Sequence, residues 1–196
     1  MLPKLMADEF YSISADAVAR ALLGMRLVRI LDDQRVAGII TETEAYSGEM
    51  DQACHARAGQ TARTAVMYGP PGRAYIYFTY GMHWMLNVVC EAEGFPAAVL
   101  LRGIQVDEGQ NLVSLRRAGI HQKAWTDGPA KLCRALEIDG RLNGLDLTRS
   151  NCQLWIEPGP PILEKDVIRG PRVGIGYAGE PWLSIPWRFQ LISKGL

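Results

Sequence analysis

In the stretch GIITETEAYSG, residues 38–48, two glutamates and a tyrosine recur at every second position. Successive side chains on an extended strand alternate between faces, so Ile40, Glu42, Glu44 and Tyr46 are expected on one face and Ile39, Thr41, Thr43 and Ala45 on the other. A row of carboxylates suits a solvated face, the commoner arrangement, or a cleft in which one acid acts as general base on a water. The neighbourhood raises the second reading. From Gln52 to Cys90 there is no Asp or Glu, while Arg57, Arg63, Arg73, His55 and His83 all fall there.

The second chemical stretch is AYIYFTYGMHWMLNV, residues 74–88, which carries three tyrosines, a phenylalanine and a tryptophan and no acid, Lys or Arg. A hairpin turning at Tyr80-Gly81 opposes Thr79 to Met82, Phe78 to His83 and Tyr77 to Trp84, with Tyr80 at the tip. Two-residue turns want positive φ, which suits Gly and not Tyr. Two readings follow. Either the aromatics are sheet core, the common fate of such strands, or a rigid tip bearing an amphipathic ring is a wedge for stacked bases, as in minor-groove binders. Alternation sends Ile76, Phe78 and Met85 inward.

These stretches need elements to hold them. SISADAVARALLGMRLV reads as a helix capped by Ser14 and stopped at Gly24. LVRILDDQRVAGIITETEAYSG reads as two strands joined at DDQ, and residues 51–73 as a loop ending in YGPPGR. AAVLLRGIQV reads as a buried strand, QNLVSLRRAG as a short helix, and DGPAKLCRALEI as a helix with Pro129 in its first turn. CQLWIEPGPPI, PRVGIGYAG and PWRFQLI read as short strands. The expected architecture is one α+β domain spanning residues 1–196.

Bulk properties exclude more than they assign. The 196 residues balance 21 Lys+Arg against 21 Asp+Glu, which argues against a protein that coats nucleic acid or membrane by charge alone. No apolar run has the length of a membrane span or signal peptide, so a cytoplasmic or nucleoid location is expected. Cys54, Cys90, Cys133 and Cys152 show no C-x-x-C spacing and read as reduced, mostly buried thiols, with no metal set.

ETEAY, His55 eleven residues after Glu44, YIYFTYGMHWMLNV, VLLRGI, DGPAKLC and RVGIG, in that order, resemble the alkyladenine (3-methyladenine) DNA glycosylases from about Leu22 to Phe189. Thr64 stands where that family often has Asn. The resemblance implies a mixed, mostly antiparallel sheet or open barrel with flanking helices and a protruding β-hairpin. It implies a monofunctional base-excision enzyme, without cofactor, metal or lyase activity. Such an enzyme flips alkylated or deaminated purines from damaged double-stranded DNA on its minor-groove side and acts as a monomer. Matched by position, Glu44 would activate the water, and Arg102 and the Val173 carbonyl would help hold it. Tyr46, His55 and Tyr77 would wall the base pocket, Asn87 would crowd the 2-amino group of guanine, and Tyr80 would fill the gap left by the flipped nucleotide. Arg57, Arg63, Arg73 and Lys131 are candidate phosphate contacts. Two other classes stay open on the residues alone: a glycoside hydrolase, whose second carboxylate should come from across a cleft, and a non-catalytic nucleic-acid-binding module.

Overall fold

A computed structural model describes residues 6–149 and 153–192. Eight strands form one sheet: β1 Arg26–Leu31, β2 Gln34–Ser47, β3 Ala74–Thr79, β4 His83–Val89, β5 Ala97–Glu108, β6 Leu154–Glu157, β7 Val167–Gly170 and β8 Arg188–Leu191. The order is β3-β4-β5-β2-β1-β6, with β8 on β2 and β7 on β8, and each of these pairings is antiparallel. Helices α1 Asp8–Tyr11, α2 Ala15–Leu22, α3 Gln110–Arg116 and α4 Pro129–Leu136 accompany it. Among the described residues no helix is long and apolar enough to cross a membrane.

Alternation along the central strands divides the molecule into two faces. Ala74 and Ile76, Leu86 and Val88, Val99 and Leu101, and Ala45 pack into the main core with Val18, Ala19 and Leu22 of α2 and Leu132 and Leu136 of α4. Their neighbours Tyr75, Val89 and Ala98, with Tyr46 and Tyr77 against them, belong to a second cluster with Cys54, Ala56 and Met67. The helices thus cover one face of the sheet. On the other, the loop 48–73 encloses the aromatics.

The β2–β5 register slips between Ala37 and Gly38 and again in the middle of β2, and the second slip aims the site. The β2–β5 register runs Ile40 to Ile104, Glu42 to Gly103 and Thr43 to Leu101, so Thr41 and Arg102 are each an extra residue in their strand. A bulge bends its strand and re-aims the side chains that follow. Ile40, expected beside Glu42 and Glu44, is instead wholly buried in the main core with Ala45. Beyond the bulge β2 leaves β1 and pairs with β8 over Glu42–Glu44.

Other expectations are met with local changes. The DDQ turn places Asp32 at φ 49° and Asp33 at φ 59°, a left-handed conformation that a short polar side chain tolerates. Ser14 precedes α2, but its side chain makes no capping bond. The 51–73 loop contains 3₁₀ turns at His55–Ala58 and Ala65–Tyr68. PRVGIGYAG, expected as a strand, is irregular chain after β7, because its three glycines and its proline give no continuous ladder. Cys54, Cys90 and Cys133 are buried free thiols, and Cys152 lies outside the described residues.

Candidate active site

The hairpin β3–β4 turns through three residues, not two: Thr79 pairs with His83, Phe78 with Trp84, Tyr77 with Met85 and Tyr75 with Asn87. The three-residue loop relieves the mismatch of a tyrosine in a two-residue turn, with Tyr80 at φ 52° and Gly81 at φ 66°. It corrects the expected register by one residue. Met85 therefore stands beside Tyr77 at the cavity rather than in the core, and Phe78, also expected inward, is 45% exposed. Tyr80 is 82% exposed. A bulky side chain held in the left-handed region with almost none of its surface buried is an outlier that packing does not repay.

On the aromatic face lies an open cavity of about 190 Å³. Tyr46, His55, Tyr77, Tyr80, Asn87, Arg102 and Val173, seven of the expected site residues, all line it. So do Cys54 and Tyr75, Met85, Leu100 and Tyr177. The His55 ring lies edge-on to Tyr77 at 4.4 Å between centroids, and its Nδ1 is 3.0 Å from the Tyr75 hydroxyl. Burial, then the nearby Arg63 and Arg57 charges, lower the His55 pKa to about 4, so the ring is neutral near pH 7. Asn87 is buried and donates its side-chain amide to the Tyr75 carbonyl at 3.0 Å.

Glu44 contributes no surface of its own; three of the cavity's lining residues touch its carboxylate. The Val173 N–H donates to Oε1 at 2.7 Å, the Tyr46 hydroxyl donates to Oε2 at 2.8 Å, and Arg102 comes to 3.5 Å of Oε2. Its pKa is raised because burial outweighs the opposing pull of Arg102, the Val173 N–H and the Tyr46 hydroxyl. Glu42 differs: its Oε1 accepts from Arg102 Nε at 2.9 Å and from Arg188 at 3.0 Å. The two glutamates that the strand pattern could not separate are thus a doubly neutralised anchor for Arg102 and a buried, lightly held carboxylate. Val173 contacts Glu44 through its N–H, a different group from the carbonyl that the sequence resemblance assigns to the water.

Of the candidate phosphate contacts, Arg57 lies over the Tyr177 ring at 4.9 Å and Arg63 over Tyr77 at 4.9 Å, both at the cavity. Arg73 is paired with Asp146 at 3.4 Å and Lys131 with Asp127 at 2.8 Å. Thr64 is buried and structural: its hydroxyl accepts from the Thr61 N–H at 2.8 Å and bonds the Gly59 carbonyl at 3.0 Å. Sequence reasoning missed Asp51 and Arg172, a wholly buried ion pair beside the site. The local pattern marks neither residue, since 121 residues separate them.

Comparison with known proteins assigns the chain to a family. The methylpurine-DNA glycosylase family profile matches residues 9–194. A candidate 3-methyladenine DNA glycosylase of Methanocella arvoryzae is 48% identical over 96% of this chain and 92% of its own. Similarly named proteins of Myxococcus xanthus and Carboxydothermus hydrogenoformans are 44% and 43% identical, over 97% and 95% of this chain and 94% and 95% of theirs. With nearly its whole length aligned to such relatives and a buried carboxylate beneath an aromatic cavity, the chain belongs to the methylpurine-DNA glycosylases, a family of DNA glycosylases acting on alkylated bases.

Proposed function

We propose that the protein excises alkylated or deaminated purines, including 3-methyladenine, 7-methylguanine, hypoxanthine and ethenoadenine, by hydrolysing the N-glycosidic bond with a Glu44-activated water. The product is an abasic site, and no lyase step follows. The observation that carries this reading is the Glu44 carboxylate held under the aromatic cavity by the Val173 N–H and the Tyr46 hydroxyl. A buried carboxylate with raised proton affinity is matched to base catalysis closer to neutral pH than a solvated one. The Arg102 contact, at 3.5 Å the loosest of the three, is the side on which the attacking water enters, so that Arg102 orients the water as well.

The rest of the cavity suits a flipped purine. Extrusion costs a few kcal/mol, less at a damaged pair, and each base–aromatic stack returns about 1–3 kcal/mol. Tyr46, His55 and Tyr77 supply the walls, Tyr80 enters from the minor groove and fills the vacated stack, and Asn87 excludes the guanine 2-amino group. A neutral His55 matters here, since an imidazolium would repel a cationic alkylated base. Arg57 and Arg63, exposed at the rim, are free to leave their aromatic partners for phosphates, and Arg73 and Lys131 add weaker contacts. The enzyme acts as a monomer, without cofactor, on chromosomal DNA in the cytoplasm or nucleoid. A paired-carboxylate glycoside hydrolase is disfavoured because, among the described residues, no Asp or Glu lines the cavity wall facing Glu44.

The test is base release from duplexes carrying hypoxanthine or 3-methyladenine. Wild type should liberate free base and leave an abasic site without strand cleavage, and Glu44→Gln should retain DNA binding with excision lowered by about 10² to 10⁴-fold. Equal activity in the two proteins would remove Glu44 from its role. Release of sugar from aryl glycosides without any base release would replace the whole reading.

A further inference from the structure

We propose that the buried Asp51–Arg172 pair is the positioning device of the Glu44 carboxylate, fixing both of its neutral hydrogen-bond donors before a substrate arrives. The proposal rests on the reading of Glu44 as the catalytic base. Its ground is that one guanidinium reaches both chain segments that supply the carboxylate's neutral donors. Arg172 Nη1 donates to Asp51 Oδ2 and to the Ala45 carbonyl at 3.0 Å, and Nη2 donates to Asp51 Oδ1 at 2.9 Å and to the Trp182 carbonyl at 3.3 Å. Ala45 is the residue between Glu44 and Tyr46, and Val173 follows Arg172 directly. The guanidinium also lies over the Tyr46 ring at 4.8 Å and the Trp187 ring at 5.1 Å. Pinning Arg172 therefore sets the Val173 N–H on Oε1 and the Tyr46 hydroxyl on Oε2 together. Asp51 completes the frame by accepting from the Ser47 N–H at 3.3 Å and the Ala53 N–H at 3.0 Å, which ties down the chain leading to Cys54 and His55.

Stability alone does not account for the pair. Both side chains are wholly buried, and Arg172 Nε has no hydrogen-bond partner. Desolvating two charges and orphaning a donor costs enough that well-packed apolar replacements of such pairs are often neutral or stabilising. What apolar residues cannot do is hold the Ala45 and Trp182 carbonyls, and the Ser47 and Ala53 N–H groups, at fixed angles beside the carboxylate.

The groups facing Glu44 set the pH signature. They are Glu42 and Tyr46 on β2, Tyr77 on β3, Arg102 on β5, Arg188 on β8 beside Glu42, and Arg172 behind Tyr46. The Val173 and Tyr46 bonds favour the ionised form against burial. Loosening them while Arg102 and Arg188 stay in place moves the Glu44 titration further up.

The experiment uses the full chain, with Asp51→Leu/Arg172→Met compared with wild type in single-turnover hypoxanthine release across pH, affinity for duplex carrying an abasic analogue, and thermal melting. Expected for the double variant are a retained cooperative melt, unchanged affinity, release slowed by about 10²-fold as for a misplaced catalytic group, and an acid limb moved to higher pH. Wild-type release with an unmoved acid limb would overturn the proposal and leave the pair a packing element. Should the double variant not fold, Arg172→Lys answers under the same criteria, because it keeps the charge opposite Asp51 but cannot span the Ala45 and Trp182 carbonyls. Absence of release by wild type itself would instead count against the function proposed above.

Discussion

The Val173 N–H meets Glu44 Oε1 at 2.7 Å across 129 residues of sequence, and it is the tightest contact the carboxylate makes. It comes from a Pro- and Gly-rich loop, where a backbone donor can approach a buried strand without bringing a side chain along. The consequence is a carboxylate whose charge is tolerated but not strongly stabilised, with burial the largest influence on its proton affinity.

The pH dependence of excision follows from that balance. With its pKa raised, Glu44 is protonated and inactive at pH values where a solvated carboxylate is already ionised, so the acid limb of the single-turnover rate should lie above the ordinary carboxylate range. Stability has the opposite slope. The folded state takes up a proton on Glu44 more readily than the unfolded chain, so this group's contribution is fullest below the ordinary carboxylate pKa and is lost as pH rises through the raised one. Glu44→Gln should therefore melt higher than wild type at pH 8 and show a smaller difference at pH 4. A thermal melt of both proteins at the two pH values checks the sign.

Tyr80 should behave as a side chain on which folding does not depend. Being 82% exposed in left-handed backbone, it contributes little packing to lose. Tyr80→Ser should leave the melting temperature nearly unchanged while weakening binding to lesion-containing duplex by about 1–3 kcal/mol, the value of one lost base stack. Tyr80→Gly should melt slightly higher than Tyr80→Ser, since glycine relieves the positive φ. A large fall in melting temperature for Tyr80→Ser would make the ring part of the core and remove the wedge.

How much of this was readable beforehand divides along a physical line. On the hairpin alternation placed Ile76 correctly in the core, but Phe78 and Met85, sent inward with it, lie exposed and at the cavity. It failed at Thr41 and Arg102, where paired bulges shift the period, and so it put Ile40 on the wrong face. It failed again at the hairpin tip, where one residue of loop length decides every cross-strand partner. The hairpin pattern offered Tyr80 as a wedge and the strand pattern offered one of Glu42 and Glu44 as a base, but the choice of Glu44 and the role proposed for Asn87 came from resemblance. Asp51 and Arg172 had no local signal at all, since a buried pair is defined by a partner 121 residues away.

Asn87 offers a test of selectivity that is separable from catalysis. Its amide is spent on the Tyr75 carbonyl at 3.0 Å, which fixes the side chain in the cavity wall rather than leaving it free to adapt. Asn87→Ala should cost about 0.5–1.5 kcal/mol of stability for the lost hydrogen bond and enlarge the cavity at the purine 2-position. Release of 7-methylguanine and undamaged guanine should rise relative to hypoxanthine, as read from a base-release panel normalised to one substrate. An unchanged ratio would assign guanine exclusion to another wall.

Thr64 separates a loop anchor from a DNA contact. Its hydroxyl closes the turn between the two 3₁₀ segments by engaging the Thr61 N–H and the Gly59 carbonyl, and the residue is buried. Thr64→Val keeps the shape and removes the hydroxyl with its bonds to the Thr61 N–H and the Gly59 carbonyl; Thr61 is exposed and water can take up its N–H, so the loss should be about 0.5–1.5 kcal/mol. Thr64→Asn, whose side-chain oxygen can accept the same N–H, should recover most of that loss. Because the loop carries His55 at one end and Met67 at the other, Thr64→Val should also raise the half-saturating concentration of lesion DNA more than it lowers the single-turnover rate at saturation. Equal melting temperatures for Thr64→Val and wild type would show that the turn is held by its backbone bonds alone.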